Sequence, residues 1–135
     1  MRTFKLILKY FLALLFVLAG LNHFINPDFY LKIMPPYLPW HLTLVYVSGF
    51  FEVVLGAALL FKRSTRLAAW GLIALLVAVY PANIHMALNP DLYPEYSQTA
   101  LWVRLPLQGV LMVWVYWYTR RDTEKSELPR PAAAA

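Results

Sequence analysis

Asn22-His23-Phe24-Ile25-Asn26-Pro27-Asp28-Phe29-Tyr30 has a second copy further along the chain, Asn83-Ile84-His85-Met86-Ala87-Leu88-Asn89-Pro90-Asp91-Leu92-Tyr93. Each copy closes a long apolar run with Asn and His, then gives Asn-Pro-Asp, an apolar residue and Tyr. Laying Asn26-Pro27 on Asn89-Pro90 leaves His23 and His85 out of register by one residue. A recurrence of this kind points to an internally duplicated fold and fixes the architecture before any single residue is read.

The chain has 135 residues, of which 61% are hydrophobic and only 14% charged. Soluble domains carry about 45–50% apolar and about 25% charged residues, so this composition belongs to a membrane protein of one compact unit. Its formal charge of +5 is therefore read as membrane orientation, and no nucleic-acid partner is expected. The absence of cysteine excludes disulfides, thiol redox chemistry and thiolate metal sites.

Four apolar runs, at about 6–24, 42–61, 67–88 and 101–119, are each close to the roughly 20 residues that a helix needs to cross hydrocarbon. Length and the need to satisfy every backbone group in lipid make them helices rather than strands. Arg2, Lys5 and Lys9 before the first run could mark a signal peptide, but its long core and its place in the repeat argue that it stays. Basic residues gather at the N-terminus, at Lys62, Arg63 and Arg66, and after helix 4, whereas the other two connections hold only Lys32. That distribution predicts both termini in the cytoplasm.

Tyr30, Tyr37, Trp40, Tyr93, Tyr96 and Trp102 read as interfacial anchors on the opposite side. The connection through Pro35, Pro36 and Pro39 is too apolar for a solvated loop and is expected to cap the bundle. The prediction is an all-α, polytopic membrane four-helix bundle spanning residues 1–121, a parallel repeat of two helical hairpins. Residues 122–135 are expected to form a disordered cytoplasmic tail.

Polar side chains within the spans are few and lie almost entirely in the outer half. They are Asn22, His23, Ser48, Glu52, Asn83, His85, Arg104 and Gln108. Ionisable residues in hydrocarbon are costly and usually face the interior, so each invites a functional hypothesis. Glu52 lies about 15 Å deep, counting from Leu42 at 1.5 Å per residue. Ser48, Gly49, Glu52 and Gly56 share a face whose small residues let a neighbouring helix approach, which turns the carboxyl into the bundle. Arg104 is its obvious counter-charge, about 10 Å away vertically, so a direct salt bridge competes with a bridge through water or through Gln108, one turn below.

Side chains lean toward a helix N-terminus, so His23 and His85 tilt toward the level of Glu52. His23, Ser48, Glu52, Asn83, His85, Arg104 and Gln108 are thus the candidate ligand-binding residues, in one asymmetric pocket open to the outer face. A plain packing role, with each polar group bonding across helices, competes with that reading. No metal is assigned, because no helix carries tight ligand spacing. Asn-Pro-Asp is itself a sound way to end a helix, since Pro stops it and Asn and Asp favour turns. Pro81 is expected to kink helix 3 and free a carbonyl beside Asn83 and His85.

Ala19-Gly20-Leu21-Asn22-His23-Phe24 with Pro27 and Phe29 resembles the DoxX family of small membrane proteins. So do Met34-Pro35-Pro36-Tyr37-Leu38-Pro39-Trp40-His41, Gly49-Phe50-Phe51-Glu52-Val53-Val54-Leu55-Gly56 and Tyr80-Pro81-Ala82-Asn83-Ile84-His85-Met86-Ala87. The resemblance covers about residues 5–119 and implies a multi-pass protein of the bacterial inner membrane. It also implies a redox-associated subunit that binds a quinone or another lipophilic ligand and works with membrane redox partner proteins. Glu52 and His85 would then handle protons, Asn83 and Gln108 bond carbonyl oxygens, and Arg104 set the field. The alternative is a non-catalytic scaffold or assembly subunit; a transporter would require a homo-oligomer to build its path. Fold likeness alone does not supply a reaction.

Overall fold

The computed structural model describes residues 1–121, and the expected disordered tail lies outside those residues. The order is α1 (Arg2–Ile25), α2 (Pro27–Ile33), α3 (His41–Ala58), α4 (Thr65–Leu88), a 3-10 turn (Pro90–Leu92) and α5 (Gln98–Trp117), with no strand among the described residues. α1, α3, α4 and α5 are long and apolar enough to cross a membrane. The connection through Pro35, Pro36 and Pro39 opens with the two-turn helix α2.

Helix ends differ from the apolar runs for local reasons. α1 starts at Arg2 because Arg and Lys are good helix formers and extend the helix beyond its apolar stretch. α3 stops at Ala58, and the carbonyls it leaves are taken up by the next turn. Ser64 Oγ donates to Ala58 O at 2.8 Å and Thr65 Oγ1 to Leu59 O at 2.9 Å. α5 starts at Gln98 because Ser97 caps it, its Oγ accepting from Ala100 N at 3.2 Å.

The two Asn-Pro-Asp turns share one backbone solution. Asn26 ends α1 at φ −124, ψ 62, and Asn89 ends α4 at φ −126, ψ 59. Asn26 N donates to Asn22 O at 2.8 Å and Asn89 N to His85 O at 3.0 Å. Pro27 and Pro90 then open a short helical segment, a position where their fixed φ fits and their missing N–H costs nothing.

α1 packs on α3, α3 on α4 and α4 on α5. The α1–α3 crossing is close because it is built on glycine. A Cβ added to Gly49 would lie 2.5 Å from His23 Cβ, and one added to Gly20 would lie 2.7 Å from Gly49 O. At the basic end all four long helices share a core that includes Leu12, Phe16, Leu59, Leu72, Val115 and Tyr118. There Tyr118 Oη donates to Lys5 O at 2.9 Å and the Phe11 and Trp114 rings stack at 6.0 Å. A smaller core of Met86, Ala87, Tyr93 and Leu101, joined by Ile33 of α2, closes the other end. Leu14, Leu18, Val54, Val77, Val110 and Val113 face outward, an exterior suited to lipid.

Candidate functional site

The site grows from the crossing of α1 and α3. Because Gly49 has no side chain, the His23 ring can settle against α3 beside Glu52, one turn further on. His23 Nδ1 lies 2.8 Å from Ala19 O and 3.5 Å from Glu52 Oε2. A carbonyl can only accept, so Nδ1 carries a proton and donates to Ala19 O. α2 then brings Tyr30 back over the ring. The two rings stack with centroids 3.7 Å apart and planes 16° from parallel. Tyr30 Oη in turn accepts from Asn22 Nδ2 at 2.9 Å, and Asn26 Nδ2 donates to Asn22 Oδ1 at 3.0 Å.

Glu52 is the strained member of this group. Its side chain is 15% exposed, and buried Oε2 accepts no hydrogen bond from any described residue. Leaving a buried carboxyl oxygen without a donor costs free energy, so the atom is chemically primed to accept one. Ser48 does not help it, because Ser48 Oγ donates to Leu44 O at 2.8 Å within its own helix.

A second polar group ties α4 to α5. Pro81 has no N–H to offer the preceding turn of α4, and α5 sends a side chain to that region. Gln108 Nε2 donates to Leu76 O at 2.6 Å, while Asn83 Nδ2 donates to Gln108 Oε1. Above it, Arg104 Nη1 reaches Met86 Sδ at 3.8 Å and the guanidinium stands 5.6 Å over the Tyr96 ring. His85 Nδ1 lies 3.2 Å from Tyr93 Oη, with the Tyr37 ring edge-on at 5.6 Å. Tyr93 is buried, and its phenol is pushed above the ordinary tyrosine value by that burial first and by Tyr37 second.

The seven residues singled out from sequence therefore fall into groups. His23 and Glu52 meet; Asn83 and Gln108 meet; His85 and Arg104 have separate partners; Ser48 turns back on its helix. Of the routes open from Arg104 to Glu52, the one through Gln108 is not made, since Gln108 is held by Asn83 and Leu76. Asn22, Tyr30 and Tyr93 were read as repeat or anchor residues and are instead hydrogen-bonded into the sites. The signal was present in the repeat, whose closing Tyr recurs in register.

The structure also explains the offset between the histidines. With Asn26 laid on Asn89, Asn22 matches His85, Tyr30 matches Tyr93, His23 matches Met86 and Glu52 matches Val115. Asn22 and His85, the matched pair, each bond the hydroxyl of the matched tyrosine. His23 and Glu52 are thus what the first half has and the second lacks. A shallow open depression of about 460 Å³ on α5, lined by Gln98, Thr99, Trp102, Val103 and Pro106, includes none of the seven.

A family model described as a domain of unknown function, DUF8561, matches residues 12–119. No curated protein and no solved structure matches the chain.

Proposed function

The chain belongs to the DUF8561 family, a description that lends it no activity, and from its own residues we propose a membrane protein that binds a quinone or a similar lipophilic molecule at His23 and Glu52. The observation that carries this reading is Glu52 Oε2, buried in an apolar helix crossing without a donor and 3.5 Å from His23 Nδ1. A quinol hydroxyl is a donor of the right kind, carried on a molecule that partitions into hydrocarbon. His23, whose Nδ1 proton is engaged by Ala19 O, presents a polarised ring on the same side. The motifs shared with DoxX proteins support placing the protein with membrane redox partners in the bacterial inner membrane.

The topology follows from charge. Basic residues at the α1 start, the α3–α4 turn and the α5 end support a cytoplasmic side for those segments and a site in the outer half. Two hairpins with matching Asn-Pro-Asp exits then form a parallel repeat about an axis along the membrane normal.

One observation favours a second reading, a non-catalytic scaffold or assembly subunit. The Asn83–Gln108–Leu76 contacts answer one another across α4 and α5, as a packing device would. The test is what leaves the membrane with the protein. Mass spectrometry and absorbance of organic extracts of the purified chain should find a quinone, reduced in amount by Glu52→Gln. Extracts holding only phospholipid, with partner proteins co-purifying equally with wild type and variant, would favour the scaffold.

A further inference from the structure

We infer that Tyr30 is the positioning residue of the His23–Glu52 pair, delivered by the Asn-Pro-Asp turn and locked by Asn22. The inference rests on the proposed role of that pair, but its test uses no ligand, so the two can fail separately. Three observations carry it.

The first is geometric. A ring stacked 3.7 Å away and nearly parallel fixes the plane of the imidazole, which its bond to Ala19 O alone would leave free to tilt. That plane decides whether Nδ1 also faces Glu52 Oε2. The groups facing His23 are Glu52 from α3, Tyr30 from α2, and Ala19 O on its own helix.

The second is the hold on Tyr30 itself. No residue of α2 is fully buried, so the polar hold on Tyr30 adds to the partial packing of Ile33 and Phe29. The Tyr30 hydroxyl is held by Asn22 Nδ2 at 2.9 Å, and Asn22 is held by Asn26, the residue that ends α1. The turn that stops the helix therefore also aims the ring.

The third is the second copy, an internal control. Tyr93 returns to α4 after a matching Asn exit, though from the end of a 3-10 turn rather than from within a helix, and bonds His85, the partner that matches Asn22. There the rings meet at 89° with centroids 6.2 Å apart, and the positions matching His23 and Glu52 hold Met86 and Val115. The fold supplies the tyrosine in both halves; only the first half gives it a histidine to stack on.

The experiment is a double-mutant cycle read at the His23 ring nitrogens by ¹⁵N NMR of the full chain in lipid nanodiscs. Glu52→Gln should shift the His23 Nδ1 signal in wild type. That shift should vanish in Tyr30→Leu, shrink in Tyr30→Phe, which keeps the ring but loses the hold of Asn22, and persist in Tyr93→Leu. Signals of His85 should stay put in Tyr30→Leu, showing that the bundle is intact. An equal Glu52→Gln shift with and without the Tyr30 ring would overturn the inference. So would a His23 signal indifferent to Glu52 in wild type.

Discussion

His23 Nδ1 lies 3.5 Å from Glu52 Oε2 across a helix crossing that exists because Gly49 has no side chain. The same glycine thus governs both packing and the polar pair. Replacing Gly49 by Ala puts a methyl 2.5 Å from His23 Cβ and 2.9 Å from Gly20 O. The helices must separate or His23 must move. The expected cost is about 1–3 kcal/mol, measured by reversible unfolding in mixed micelles. Gly109→Ala is the control. A Cβ there meets nothing within 4 Å, so stability should not fall, and the better helix former should raise it by about 0.5–1 kcal/mol.

The bond between Asn83 and Gln108 should behave as structure alone. Removing Gln108 with Leu leaves Leu76 O and Asn83 Nδ2 without their partners. A double-mutant cycle with Asn83→Leu and Gln108→Leu should give a coupling of about 0.6 kcal/mol, the usual size between membrane helices. Quinone affinity should stay within about twofold of wild type in Asn83→Leu, since neither residue touches the His23–Glu52 pair.

Alkaline pH should act through Tyr93. Its phenol is raised above the ordinary tyrosine value of about 10 by burial, so the folded chain favours the neutral form. Stability from this source is fully present below that ordinary value and is lost as pH rises through the raised one. Unfolding followed by circular dichroism should therefore show a falling alkaline arm. Tyr93→Phe should flatten it, leaving the arm due to other tyrosines.

Much of this fold is legible in the residues, and the reasons are physical. Four runs near the length of a span must be helices in lipid, and α1, α3, α4 and α5 answer them. The paired Asn-Pro-Asp stretches read as helix exits, and Asn26 and Asn89 do share one backbone geometry. Pro81 does lie inside α4, and the Gln108 side chain bonds Leu76 O, one residue before the carbonyl that Pro81 leaves without a donor. What sequence could not give is which helices touch. Depth along a span orders residues vertically and says nothing of the angle between helices. Arg104 and Glu52 therefore looked like partners by charge, while the fold gives Arg104 to Met86 and Tyr96 and gives Glu52 to His23. Tyr30 was hidden for a similar reason. An aromatic at a span end suggests an interfacial anchor, and only the return of α2 reveals that it stacks on His23.

The central claim is that Glu52 accepts a hydrogen bond from a lipophilic ligand beside His23, and one titration tests it most directly. Purified full-length chain is titrated with decylubiquinol under anaerobic conditions, and binding is followed by quenching of tryptophan fluorescence. The expected result is saturable binding that Glu52→Gln weakens by about tenfold, the size of one hydrogen bond to a buried carboxyl, and that Gln108→Leu leaves within about twofold. Non-saturable partitioning, or equal affinity in wild type and Glu52→Gln, would contradict it.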